Sequence, residues 1–335
     1  MSKTKNIVQW MIFILLPIVF ILVSLCVGAY KVSIPDVFKI LTSIITSKTD
    51  GLEDMAISIV IDTRLPRILG AAMAGAGLSV SGAVFQSLFG NPLADPYTLG
   101  VSNGAGFGAA IAIVLSLSTV GVQITAMIFG MGAVGLTFLL SAKDVRSTIT
   151  IILSGMLVSA LFSSLISLIK FTADPFEKLP QIIYWLMGTL VGVNYKGLLS
   201  ILPAYLLSML VLFLYRWRIN VLSMGSTQAK SFGIDTRNDR MAVIFASTLL
   251  TSLVVSISGI IGWVGIVIPH LARMIVGPDF RRLMPACVSL GICYLILIDD
   301  LCRTLTSLEI PIGVITGIIG IPIFVYFIYT KKVNW

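Results

Sequence analysis

Long apolar stretches without a single charge set the pattern of this chain. Residues 7–30, 68–94, 96–142, 147–169, 197–215, 241–272 and 310–330 contain no Asp, Glu, Lys or Arg. A helix that crosses a bilayer needs about 20 apolar residues, so the runs at 96–142 and 241–272 each hold two spans. The pattern predicts ten: 7–30, 66–90, 97–117, 121–142, 147–169, 195–215, 241–259, 262–276, 284–303 and 310–330. The first run is longer than the roughly 7–15 apolar residues of a cleavable signal and is read as the first span. Segment 179–193 carries Pro180, Gly188 and Gly192 and reads as a short helix lying at, or dipping into, the outer surface.

Composition agrees with this pattern. Of the 335 residues 57% are hydrophobic and 11% charged, against about 25% charged in a soluble domain; the mean hydropathy is +1.02. The net charge of +8 lies in the loops, so it points to membrane topology and not to nucleic acid. With ten spans and both termini cytoplasmic, the inner side receives 14 of the 23 basic residues, as the positive-inside rule requires. If 179–193 also crossed the bilayer, later loops would flip and the inner side would keep only six. The expected architecture is therefore all-α and polytopic.

SVSG at 79–82 and SISG at 256–259 are each followed ten residues later by a proline, Pro92 and Pro269. The offset is half the chain, and five spans per half would insert the halves with opposite orientation, as in transporters built from inverted repeats. Chance similarity between helices rich in small residues is the other reading. Gly75, Ser79, Gly82 and Gln86 share a face, and Gly100, Gly104 and Gly108, and Gly313, Gly317 and Gly320, form further small-residue stripes. Such stripes let helix backbones approach closely in a membrane.

GNPLADPYTLGVSNGAG, at 90–106, breaks the helical pattern with Asn91-Pro92 and Asp95-Pro96, because proline lacks a donor and disfavours helix before it. Such a turn either lines a pathway or is a plain surface loop. GSTQAKSFG, at 225–233, reads as a short helix in the longest inner loop, with Ser226 as a possible N-cap and Gly233 as a stop; it either docks a soluble partner or is simply solvated. DTRLPR, at 62–67, puts Arg64 and Arg67 where the second span is expected to begin, and Arg303 ends the ninth beside Asp299 and Asp300. Arginines at such ends serve as interfacial anchors or as bidentate sites for carboxylates of a docking protein.

No catalytic, cofactor or metal site emerges. His270 is the single histidine; Cys26, Cys287, Cys293 and Cys302 have no metal-ligand spacing. Without any G-x-x-x-x-G-K-[ST] motif the chain has no P-loop for ATP.

RLPRILGAAMAGAGLSVSGAVFQSLFGNPLADPYTLGVSNGAG (64–106), YWLMGTLVGV (184–193), GWVGIVIPHLARMIVGPDFRRLMP (262–285) and LEIPIGVITGIIGIPIFVYFI (308–328) resemble the signature of the FecCD-type permeases. These are the transmembrane subunits of type II ABC importers for iron–siderophore, haem and cobalamin. The resemblance implies one transmembrane permease domain over residues 1–335, in a bacterial or archaeal cell (inner) membrane. It implies partners: two ATP-binding subunits on the cytoplasmic side, an extracytoplasmic substrate-binding protein, and a second permease, identical or related, all in membrane lipid. By position, Arg64, Arg67 and Arg303 resemble binding-protein docking arginines. Asn91 and Leu93, with Thr148 and Ile149, resemble the translocation gate; Gly225, Ser226, Ala229, Lys230 and Gly233 fall in the segment that couples to the ATPase. Many relatives carry an acidic residue at Ser226 and a histidine at Phe280. The expected cargo is an iron(III)-siderophore, with haem, cobalamin and molybdate-type oxyanions as alternatives. An ion-coupled secondary transporter is the reading from another class, although the spans hold almost none of the intramembrane ionisable residues that coupling uses.

Overall fold

A computed structural model describes residues 3–28, 30–46, 52–142, 148–233, 235–306 and 308–330. Helices and turns make up the described residues, with no strand among them. In chain order the helices are α1 (Lys3–Cys26), α2 (Ile34–Thr46), α3 (Asp54–Ser58), α4 (Leu65–Phe89), α5 (Val101–Val114), α6 (Thr119–Leu140), α7 (Thr148–Thr172) and α8 (Lys178–Leu186). They continue with α9 (Tyr195–Leu214), α10 (Arg216–Ser223), α11 (Ser226–Ser231), α12 (Thr236–Ser258), α13 (Val264–Val276), α14 (Phe280–Thr304) and α15 (Ile312–Thr330). A π-helical turn, Ile59–Arg64, joins α3 to α4, and a 3₁₀ turn, Pro96–Leu99, precedes α5.

Seven of the expected spans appear as helices long and apolar enough to cross a membrane; those at 97–117, 262–276 and 310–330 appear as shorter apolar helices. At 1.5 Å per residue the 14 residues of α5 cover about 21 Å, short of a roughly 30 Å hydrocarbon core. The sequence break supplies the reason: Pro96 and a left-handed Gly100 hold 96–100 in a separate turn. Non-helical backbone is tolerated at such depth only when protein satisfies it. Here Thr137 of α6 donates its hydroxyl to the Leu99 carbonyl at 3.0 Å, while Tyr97 donates its own to the Ile261 carbonyl at 2.8 Å.

The second span differs most from expectation. The helical path begins at Asp54, not near residue 66, and runs 36 residues to Phe89. Pro66 stands in the first turn of α4, directly after the π turn, where a missing donor costs least. α4 is the central helix, packed against α12, α13 and α14. A helix apolar on every side is a buried one, whereas α1 keeps most of its surface outward.

Two glycine pairs bring α4 against its neighbours. A Cβ on Gly75 would overlap the Gly291 carbonyl of α14, and one on Gly82 the Gly265 carbonyl of α13. Ser79 donates across the first of these contacts to the Cys287 carbonyl at 2.7 Å. In the other stripes, Gly104 and Gly108 meet the α6 backbone, and Gly313 meets the Met187 carbonyl, while Gly100 is a left-handed cap and Gly317 sits in ordinary contact with Trp263. SVSG lies inside α4 but SISG ends α12, with Gly259 as its cap, so this motif pair does not mark equivalent points in two halves. α2 and α10, unmarked in the sequence reading, add an amphipathic helix between α1 and α3 and a short helix after α9.

Candidate functional site

Three arginines and three carboxylates, drawn from sequence positions 64 to 309, meet at one end of α4. Arg67 lies one turn into the helix and is 6% exposed. Its Nε donates to both Asp299 oxygens, at 2.9 and 3.1 Å, and its Nη1 to Glu309 Oε2 at 2.6 Å. Asp299 also has Arg303 Nε at 3.3 Å, within ion-pair distance but not aligned as a hydrogen bond. The i, i+4 spacing on α14 sets that pair. Arg303 Nη2 donates to the Ser24 carbonyl at 3.1 Å, to Ser24 Oγ at 2.7 Å, and to Asp300. Arg64 closes the π turn and donates to the carbonyls of Leu25, at 2.6 Å, and Tyr30.

The three sequence-predicted arginines are thus gathered on one side of the fold, but they are buried and held by internal partners, not displayed. Sequence reasoning missed Glu309 and Ser24, whose proximity to the arginines arises only from tertiary packing. It also missed that Arg64 binds backbone oxygen at the end of α1. The cluster staples α1, α4, α14 and the segment before α15. Removing one partner of such a buried pair typically costs about 3–5 kcal/mol, because the other charge is left uncompensated.

The opposite end of α4 carries the proposed gate turn. Gly90 takes a left-handed conformation (φ 58°) and stops the helix. Asn91 Oδ1 accepts from the Leu93 backbone at 2.9 Å, which folds the turn on itself and leaves the Leu93 side chain 52% exposed. Asp95 caps the 3₁₀ turn by accepting from the Thr98 N–H at 3.0 Å. Burial pushes its carboxyl up to about 7, against the opposing pull of the Thr98 and Tyr97 backbone donors. Ile149, in the first turn of α7, is 71% exposed. Thr148 opens that helix, and its side chain lies outside the described residues.

Two further arginines hold the α4 terminus above this turn. Arg240 donates to the Leu88 carbonyl at 3.2 Å and lies over the Phe89 ring. Arg273 donates to Gln86 Oε1 at 2.8 Å and Ser87 Oγ at 3.1 Å. Cations at a helix C-terminus complement its dipole.

The 225–233 segment forms the expected short helix, α11, between Gly225 (φ 99°) and Gly233 (φ 74°). Ala229 is fully buried against its neighbours and anchors the helix, while Phe232 is 59% exposed. Ser226 and Lys230 lie on α11, but their side chains are outside the described residues. Among the described residues no cluster of His, Cys, Asp and Glu could hold a metal, and all four cysteines are free thiols.

The family model of the FecCD transport family matches residues 15–330. The chain belongs to the FecCD transport family. This FecCD chain is 40% identical over 319 residues to the molybdate import system permease protein MolB of Haemophilus influenzae, covering 95% of this chain and 94% of that one. It is 33% identical to the vitamin B12 import system permease protein BtuC of Salmonella arizonae, over 98% and 96% of the two chains. The hemin transport system permease protein HmuU of Yersinia pestis is 32% identical, with 86% of each chain covered. A solved structure described as an inward-facing metal-chelate type ABC transporter superposes with a TM-score of 0.86 at 38% identity, covering 95% of this chain and 98% of that one. The FecCD protein is accordingly an ABC importer permease and a multi-pass integral protein of the cell membrane.

Proposed function

We propose that this FecCD permease translocates a metal chelate, an iron(III)-siderophore, delivered by an extracytoplasmic binding protein. The supporting observation is the match along almost the whole chain to a metal-chelate type transporter. In this reading the seven long and three shorter apolar helices make ten crossings, arranged as two five-helix halves of opposite orientation with both termini cytoplasmic. The short α5 and α13 are buried among longer helices, so protein and not lipid surrounds the non-helical backbone that completes their crossings. A second permease subunit, identical or related, completes the channel.

Two ATP-binding subunits dock on the cytoplasmic side against Gly225, Ser226, Ala229, Lys230 and Gly233. ATP hydrolysis belongs to them, and the permease itself performs no chemistry. Asn91 and Leu93, with Thr148 and Ile149, form the inner gate; exposed apolar Leu93 and Ile149 suit a seal between opposing chains. Arg64, Arg67 and Arg303 form the docking end for acidic side chains of the binding protein. A molybdate-type oxyanion is the second reading, favoured by the 40% identity to MolB.

Reconstitution with the cognate ATPase and binding protein tests the proposal. ATP should drive uptake of radiolabelled ferric siderophore, with molybdate neither carried nor competing. Uptake of molybdate alone moves the cargo to the second reading. Uptake on an imposed ion gradient without any ATPase overturns the importer mechanism.

A further inference from the structure

The end of α4 proposed to receive acidic side chains has no spare charge. Arg67 and Arg303 face Asp299, Asp300 and Glu309, Arg64 is taken up by the Leu25 and Tyr30 carbonyls, and among the donors described above only Arg303 Nε lacks an aligned acceptor. An arriving carboxylate therefore meets a closed, neutral cluster in which each buried guanidinium is held from within. Docking at this end requires that one internal partner leave.

The geometry singles out which one. The Asp299 side chain is 1% exposed and sits between Arg67 and Arg303. Asp300 is 15% exposed, shares Arg303 with Ser24, and accepts from the Ser24 hydroxyl at 2.6 Å. Glu309 is 36% exposed and is held to the cluster through Arg67 Nη1. It also lies outside any helix, in the segment between α14 and α15, so its head can turn to water without moving a helix. Leaving Asp299 in place keeps Arg67 oriented, with Nη1 aimed at the position that Glu309 vacates.

We propose that Glu309 is an internal stand-in for the docking protein's carboxylate, and that docking proceeds by exchange of the two on Arg67. The proposal rests on the docking role given above to the outer arginines. Exchange replaces one charge-assisted hydrogen bond by another of the same kind, so the contact contributes selectivity for a carboxylate and little net affinity. A tethered competitor acts at an effective concentration in the millimolar range, which holds the site shut against free acidic metabolites and yields to a protein that brings further contacts. The released segment leads straight into α15. There Ile312 and Gly313 donate to the carbonyls of Gly188 and Met187, at 2.9 and 3.1 Å, so exchange at Arg67 reaches the backbone junction of α8 and α15.

The test uses the complete transporter, permease with its ATPase subunits in lipid nanodiscs, titrated with the cognate binding protein at low salt without nucleotide. Glu309→Gln removes the competing charge at nearly constant shape and should tighten binding by about tenfold. Glu309→Asp keeps the charge at shorter reach and should fall between. In an Arg67→Ala background the Glu309→Gln gain should vanish. An unchanged or weaker affinity for Glu309→Gln, with Arg67→Ala still weakening docking, overturns the exchange and leaves the docking site standing. A gain that persists without Arg67 also overturns it. Docking indifferent to Arg64→Ala, Arg67→Ala and Arg303→Ala overturns the underlying docking role.

Discussion

The two ends of α4 handle buried positive charge in opposite ways. At the Arg67 end, guanidiniums are matched by the carboxylates Asp299, Asp300 and Glu309. At the Gly90 end, Arg240 and Arg273 donate to a carbonyl, an amide oxygen and a hydroxyl, where the helix C-terminus supplies the compensating negative potential. The nearby buried carboxylate, Asp95, is held by backbone N–H groups. One end is thus a rigid neutral clasp. The other joins described arginine contacts to neutral oxygens with a turn whose conformation is set by Gly90 and Asn91. A clasp of paired charges suits recognition of a charged partner; a turn closed by a left-handed glycine and an asparagine side chain suits a change of shape.

Breaking the clasp from its centre should have the largest effect. Asp299→Ala leaves Arg67 and Arg303 facing each other in a buried site, with an expected loss of about 3–5 kcal/mol, read as a large fall in Tm of the detergent-solubilised protein. At the other end, Arg273→Met removes a cation whose described partners are neutral, and a loss of about 1–3 kcal/mol is expected from the unsatisfied Gln86 and Ser87 groups. Equal losses at the two ends would erase the contrast.

Asp95 gives the Gly90 end a pH signature. Burial pushes its carboxyl up to about 7 in the folded protein, from an ordinary 3.8, so between these values the folded protein binds the extra proton. Stability should therefore be fullest below about pH 4, fall as the pH rises toward 7, and flatten above. Asp95→Asn should remove that slope from Tm measured across the window; a slope that survives would place its origin elsewhere. The smallest effect is expected at Glu309. Because its side chain is 36% exposed, Glu309→Gln should shift stability by under about 1 kcal/mol, although it alters docking.

Most of this architecture was legible from apolar run length, because a membrane span announces itself through the absence of charge. The interruption at 90–100 was equally plain, since Asn91-Pro92 and Asp95-Pro96 cannot continue a helix. The start of the α3–α4 path was hidden: Asp54, Asp62 and Arg64 lie outside the charge-free run that marks the second span, and the helical path reaches back through them by way of the π turn. α2 escaped because an amphipathic helix of 13 residues leaves no long apolar run. At the candidate site, the arginines were visible as charges beside apolar segments. Their burial was not, because it depends on partners as distant as Glu309, 242 positions from Arg67.

The most direct measurement of the clasp as the docking end is binding-protein-stimulated transport by the reconstituted Arg64→Glu, Arg67→Glu double variant, checked beforehand for monodisperse elution. The account predicts that stimulation by the binding protein is lost. Undiminished stimulated uptake would contradict it.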